Sequence, residues 1–213
     1  MRATPFPASG ARLGPASGWV VPLVIVLALG VIVGARLVGV RAGLDPLLIG
    51  AAFGGALAAL SLAGREAGAR GARALLSTSL VTSIVVGVVV GLGLVAVAVI
   101  GPTIGGVMTV PGIGRPAAPF GPWALITLLV AAAEEGVLRG VLFDRLERAA
   151  GLAPAVVLTT LAFALMHVPL YGWHVVPLDL AVGLVLAGLR ISTRGLAAPI
   201  AAHAVADLAT WWL

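Results

Sequence analysis

Ala131-Ala132-Ala133-Glu134-Glu135-Gly136-Val137-Leu138-Arg139 sets two adjacent acids inside an apolar run of a 213-residue chain that is 61% hydrophobic. An ionisable side chain in the hydrocarbon of a bilayer costs roughly 2.5 kcal/mol or more, so it persists where it is paired, faces a cavity or does chemistry. The surroundings explain the setting. Mean hydropathy is +1.16 and only 10% of residues are charged, too little polar surface to cover a water-soluble globule of this size. The chain therefore reads as a polytopic membrane protein. The net charge of +5 comes from arginines alone, scattered between apolar runs, which is a topology signal and not a nucleic-acid patch. With no cysteine in the chain, disulfides, thiolate metal sites and a cysteine nucleophile are excluded.

Outward from the acids, apolar runs long enough for a bilayer fall near 19–35, 44–63, 75–100, 121–148, 152–171, 174–191 and 195–213. The expected fold class is all-α: a transmembrane helical bundle of about seven spans. Its expected organisation is a short N-terminal segment (1–18), three helices (19–100), a Pro/Gly-rich external loop (101–120) and a C-terminal core (121–213). The apolar run after the lead-in has no convincing cleavage site, so the first helix is expected to be retained. Breaks are expected from Arg36 to Pro46, from Gly64 to Arg73, and at Gly151, Gly172 and Gly195. On alternate sides of these spans, Arg2, Arg12, Arg65, Arg70, Arg73, Arg145, Arg148, Arg190 and Arg194 face Arg36, Arg41 and Arg115. This places the N-terminus in the cytoplasm. Trp19, Trp123, Tyr171, Trp173, Trp211 and Trp212 fall at span ends, where amphipathic rings favour the interface.

That topology sets depth. Counted from the cytoplasmic side at 1.5 Å per residue, Glu134 and His167 lie at roughly 21 and 22 Å, with His203 and Asp207 at roughly 12 and 18 Å. Polar residues from three helices thus converge on a middle layer. Glu135 and Arg139, four apart, share a helix face and are expected to pair, leaving Glu134, rotated by about 100°, to face a cavity. Phe163 with His167, and His203 with Asp207, each present one face. A Glu–Arg pair at this spacing is by itself an ordinary structural device, and a lone buried His is as often packing as chemistry. A Glu, two His and an Asp at matching depth are what packing does not predict. His174 reads as an interface residue, and Asp179 and Arg190 as residues near helix ends that reach the interface. The pairs Gly30/Gly34, Gly50/Gly54, Gly87/Gly91 and Gly136/Gly140 read as close helix packing.

Glu134-Glu135-xxx-Arg139, Phe163-xxx-His167 and His203-xxx-Asp207 resemble, in order and spacing, the three motifs of the CPBP intramembrane proteases. This is the Abi or CAAX-protease family, which includes the Ras-converting CAAX endopeptidase. The resemblance covers about 121–213. It implies a catalytic carboxylate at Glu134, a water-holding His167, and His203 with Asp207 flanking the scissile carbonyl, supported by Glu135, Arg139 and Phe163. Hydrolysis within a membrane needs a polar cavity, a base and donors for an oxyanion. The prenyl-protein members end the last motif in Asn, whereas Asp207 stands here, and an ionised carboxylate donates no hydrogen bond. Asp207 could orient His203, be protonated, or ligate a metal. The expected cofactor is none, with zinc on Glu134, His167, His203 and Asp207 as the alternative, although the HExxH spacing of soluble zincins is absent.

The leading expectation is an intramembrane endopeptidase in a bacterial cytoplasmic membrane, acting on a membrane-embedded or lipid-associated peptide or protein, with no nucleic-acid partner. The alternatives are a non-catalytic membrane partner, such as a bacteriocin self-immunity or scaffold protein, and a proton-coupled transporter. The last is weakened by a single charge cluster and no clear inverted repeat.

Overall fold

The computed structural model describes residues 17–65, 79–105 and 118–213. Residues 1–16, 66–78 and 106–117, which hold most of the N-terminal segment, Arg70, Arg73, Arg115 and most of the 101–120 loop, lie outside the described residues. After a 3-10 turn at Ser17–Trp19, the helices are α1 (Val20–Arg41), α2 (Pro46–Gly64), α3 (Leu80–Gly105), α4 (Phe120–Glu135), α5 (Phe143–Ala150), α6 (Leu152–Tyr171), α7 (Val176–Thr193) and α8 (Ala197–Ala209). A π-helical segment, Gly136–Leu142, joins α4 to α5 without a break, so the described residues form seven helical rods and no strand.

Five of these rods are long and apolar enough to cross a membrane by themselves: α1, α2, α3 up to Ile100, α6, and Trp173–Thr193. The expectation of seven is corrected to that extent. In the fourth rod the regular α-helix has only 16 residues before the pitch changes. The last fails because α8 has only 13 residues, about 20 Å against a hydrocarbon core of about 30 Å. Leu23, Val31, Val38, Leu62, Val81, Val89, Val97 and Leu125 all point outward with more than half of their surface exposed. In water so much exposed apolar area would drive association; in a bilayer it faces acyl chains. This is a membrane protein.

Local chemistry sets the ends. Asp45 accepts a hydrogen bond from the Leu48 amide at 2.9 Å and Pro46 opens α2, the usual N-terminal capping arrangement. Gly151 and Gly172 adopt φ of +93° and +87°, values that side-chain-bearing residues resist, and they make the tight reversals on either side of α6. Arg36, expected at a helix break, lies inside α1, which runs on to Arg41, and its guanidinium rests over the Phe53 ring at 4.4 Å. The third helix is also displaced, ending at Gly105 inside the segment expected to be loop.

Inside the bundle, α3 packs along α8, α2 along α4 and α6 along α7. The apolar core runs through Ile25, Leu29, Phe53, Leu57, Val137, Leu142, Phe163 and Leu186. A Cβ at Gly91 would fall 2.7 Å from the Ala202 carbonyl, one at Gly50 2.6 Å from Ile126, and one at Gly136 2.8 Å from the Ser61 hydroxyl, so these glycines do serve close packing. Among the described residues a Cβ at Gly30 or Gly34 would meet nothing within 4 Å, so their expected packing role is withdrawn.

Candidate active site

The fourth rod changes pitch directly beneath the two acids. Glu134 and Glu135 end α4, and Arg139 lies in the π segment that follows. A π turn widens the helix and re-aims its side chains, and such turns gather at functional sites. All three side chains are buried. Arg139 donates from Nη1 to Glu135 Oε1 at 2.9 Å and from Nη2 to the Gly183 carbonyl at 3.1 Å, while its guanidinium lies 4.6 Å from the centre of the Phe163 ring. The expected pair is therefore present, and it is locked across to α7. Gly183 permits this approach, because a Cβ there would stand 3.0 Å from Thr160 and 3.4 Å from the guanidinium.

Glu135 does more than pair with Arg139. The same Oε1 faces His203 Nδ1 at 3.1 Å. A carboxylate acceptor there places the hydrogen on Nδ1 and turns Nε2 the other way. Nε2 then faces Glu134 Oε2 at 3.7 Å and Asp207 Oδ2 at 3.5 Å. These are charge contacts, longer than a hydrogen bond. On α6, His167 donates from Nδ1 to the Phe163 carbonyl at 2.8 Å, which leaves its Nε2 as the free acceptor. Phe163 meets His167 edge to face at 4.9 Å and His203 at 5.4 Å, so one ring spaces both imidazoles beneath the guanidinium. His167, His203, Asp207 and Arg36 all lie within electrostatic reach of Glu134.

Each residue picked out by the three motifs is therefore in this cluster. His174 is not; it occupies the 3-10 turn Trp173–Val175 beyond α6. Two residues expected at the interface are corrected. Asp179 lies with its carboxylate 3.6 Å from His167 Nδ1. Arg190 donates from Nε to the Arg139 carbonyl and from Nη2 to Asp144, both at 2.9 Å, and so braces the π segment from α7. For Asp179 a signal existed: it and His167 stand six residues on either side of Trp173, the spacing that brings residues level across an antiparallel helix pair. Arg190 gave none, since one of its acceptors is a backbone carbonyl in the π segment and the other, Asp144, lies 46 residues away on another helix. Among the described residues no group of three or more His, Asp or Glu side chains is arranged to hold a metal ion.

Residues 116–209 match the family model described as type II CAAX prenyl endopeptidase Rce1-like. This part of the chain is similar to the CAAX prenyl endopeptidases. The matched stretch begins just before α4, ends at the last residue of α8 and contains the whole cluster; it is a little under half of the chain. No curated protein and no solved structure matches. What the match brings is a likeness to that endopeptidase family over the stretch that carries the cluster, and what the geometry adds is how those side chains are arranged.

Proposed function

We propose that this protein is an intramembrane endopeptidase in which Glu134 activates water against a peptide bond of a membrane-embedded or lipid-associated substrate. The observation that carries the reading is Glu134 itself. It is a buried carboxylate with no hydrogen-bonding cation among the described residues, set against an imidazole whose far nitrogen is already fixed by Glu135. A carboxylate kept only for structure would be tied down, as Glu135 is.

In the proposed reaction Glu134 takes a proton from water held between it and the free Nε2 of His167. The water oxygen bonds to the scissile carbonyl carbon, giving a tetrahedral oxyanion. His203 in its protonated form presents Nε2–H to that oxyanion, and Asp207, which cannot donate when ionised, orients and charge-balances the ring. Glu134 returns its proton to the departing amide nitrogen, the C–N bond breaks, and the products are an acid and an amine. General acid–base participation of this kind contributes about 10²- to 10⁴-fold, and a fixed donor to an oxyanion about 10²- to 10³-fold.

The test is cleavage of a quenched fluorescent peptide library by purified protein in detergent, with wild type, Glu134→Gln and added chelator. Turnover that falls at least 10²-fold in Glu134→Gln and persists with chelator is the expected result. Loss with chelator and rescue by zinc would transfer the chemistry to a metal held by Glu134 and the histidines. Cleavage that survives Glu134→Gln would sink the assignment of the base, and no cleavage by wild type would favour a non-catalytic binding role.

A further inference from the structure

We infer that Asp179 is a positioning residue for His167, holding the imidazole from the Nδ1 side so that Nε2 is turned toward Glu134, and balancing the charge the ring acquires when it helps to hold and polarise water. The catalytic meaning of this inference rests on the hydrolytic reading above; the contact itself does not.

Asp179 lies in the first turn of α7, and its Oδ2 is 3.6 Å from His167 Nδ1, each side chain retaining only 17% of its exposure. That same oxygen is buried and accepts no hydrogen bond from any described residue. A buried carboxylate oxygen without a donor is costly, and the usual structural reasons for accepting that cost are missing here. Asp179 does not cap α7, whose N-cap is Val175 with no side-chain hydrogen bond. Nor does it pair with an arginine: among the described residues His167 is its ion-pair partner. The start of a helix is a favourable place for a carboxylate, which lowers the cost but does not explain why the oxygen points at an imidazole.

His167 Nδ1 has one hydrogen, and the Phe163 carbonyl receives it at 2.8 Å. Asp179, beyond hydrogen-bond length, acts on the same edge through its charge. A backbone carbonyl fixes the neutral tautomer; only a carboxylate also stabilises a ring that becomes positive. The charged and titratable groups around this pair are Tyr171 on α6, stacked on His167 at 5.9 Å, Asp207 and His203 on α8, and Glu134 on α4. The arrangement separates two roles for two imidazoles. His203 is anchored by Glu135 through its Nδ1 and His167 by Phe163 and Asp179 through its own, so each ring keeps its Nε2 for the reaction.

The chain has three histidines, which makes the inference readable by 15N-histidine NMR of the purified protein, with His174→Gln and His203→Gln used to assign His167. Asp179→Asn keeps the shape of the side chain and removes its charge; Asp179→Leu removes both. Both are expected to move the His167 imidazole nitrogen shifts while leaving those of His174 in place. In the peptide assay kcat should fall about tenfold or more with KM within twofold, and Asp179→Glu should recover part of the loss. Unchanged His167 shifts in Asp179→Asn and Asp179→Leu would overturn the inference, as would a loss confined to KM. If wild type cleaves nothing, the hydrolytic reading falls by itself, and the imidazole shifts still decide whether Asp179 holds His167.

Discussion

The two adjacent glutamates differ in what holds them. Glu135 accepts from Arg139 and His203 with one oxygen and is fully buried, whereas the imidazole facing Glu134, His203 through Nε2, stands 3.7 Å off. Removing the Glu135 charge leaves a buried guanidinium without its partner, a loss of about 3–5 kcal/mol. Glu135→Gln is therefore expected to lower the apparent Tm, at fixed scan rate, by several degrees and to reduce turnover as His203 loses its anchor. Glu134→Gln should leave Tm nearly unchanged while turnover disappears. Equal thermal losses in the two variants would show that the neighbours are not divided in this way. The division was half legible in the sequence. A spacing of four on one helix reports the Glu135–Arg139 pair, but the bond to His203 joins residues 68 apart, and no pattern within a single helix encodes it. Asp207 remained open for the same reason: its pairing with His203 is set within α8, but whether Glu134 shares that imidazole depends on how α8 meets α4.

At the level of the elements, α3 belongs to the site although it contributes no polar residue to it. Gly87 and Gly91 let it lie directly on α8, against the Ala198 and Ala202 carbonyls, Ala201 and Val205, and α8 carries His203 and Asp207. A side chain at Gly91 must push that helix away. Gly91→Val is expected to cost about 1–3 kcal/mol through overpacking and to lower kcat by displacing His203, read as a fall in both apparent Tm and cleavage rate. Gly30→Val, facing open space, should change neither. A Gly91 variant with wild-type Tm and rate would remove α3 from the positioning of the site. The glycine spacing is identical at both places, so sequence cannot tell them apart; only the presence of a facing helix does. The π segment was hidden likewise, because Gly136 and Gly140 are equally at home in a regular helix and the change of pitch is supported from outside, by Ser61 on α2 and Arg190 on α7.

Across the whole molecule, the packing decides which ends lie on the same side. Gly18 sits beside Ala149, Arg145 donates to the Gly64 carbonyl at 3.1 Å, and these gather the start of α1, the end of α2 and the end of α5. At the opposite end Phe120 and Trp123 pack on Trp211 at 5.2 and 4.9 Å, and Phe120 on Trp212 at 5.3 Å, where an aromatic girdle suits a membrane interface. These groupings are the ones that the arginine alternation predicts, since that count depends on the order of spans and survives shifts of a few residues at each boundary. On what a bundle without a bilayer cannot tell, which side is cytoplasmic, the alternation proposes the arginine-rich one. A chain with no cysteine lets this be read with single substitutions on exposed positions. In intact bacterial cells a membrane-impermeant maleimide should label His174→Cys, and should reach Ala150→Cys only after permeabilisation. The reverse pattern would invert the orientation, while labelling of both in intact cells would show that the chain does not adopt a single one. An inverted chain would also reverse the depths from which a substrate meets Glu134, because the short α8 and the His203 it carries enter the bundle from the Ala150 side.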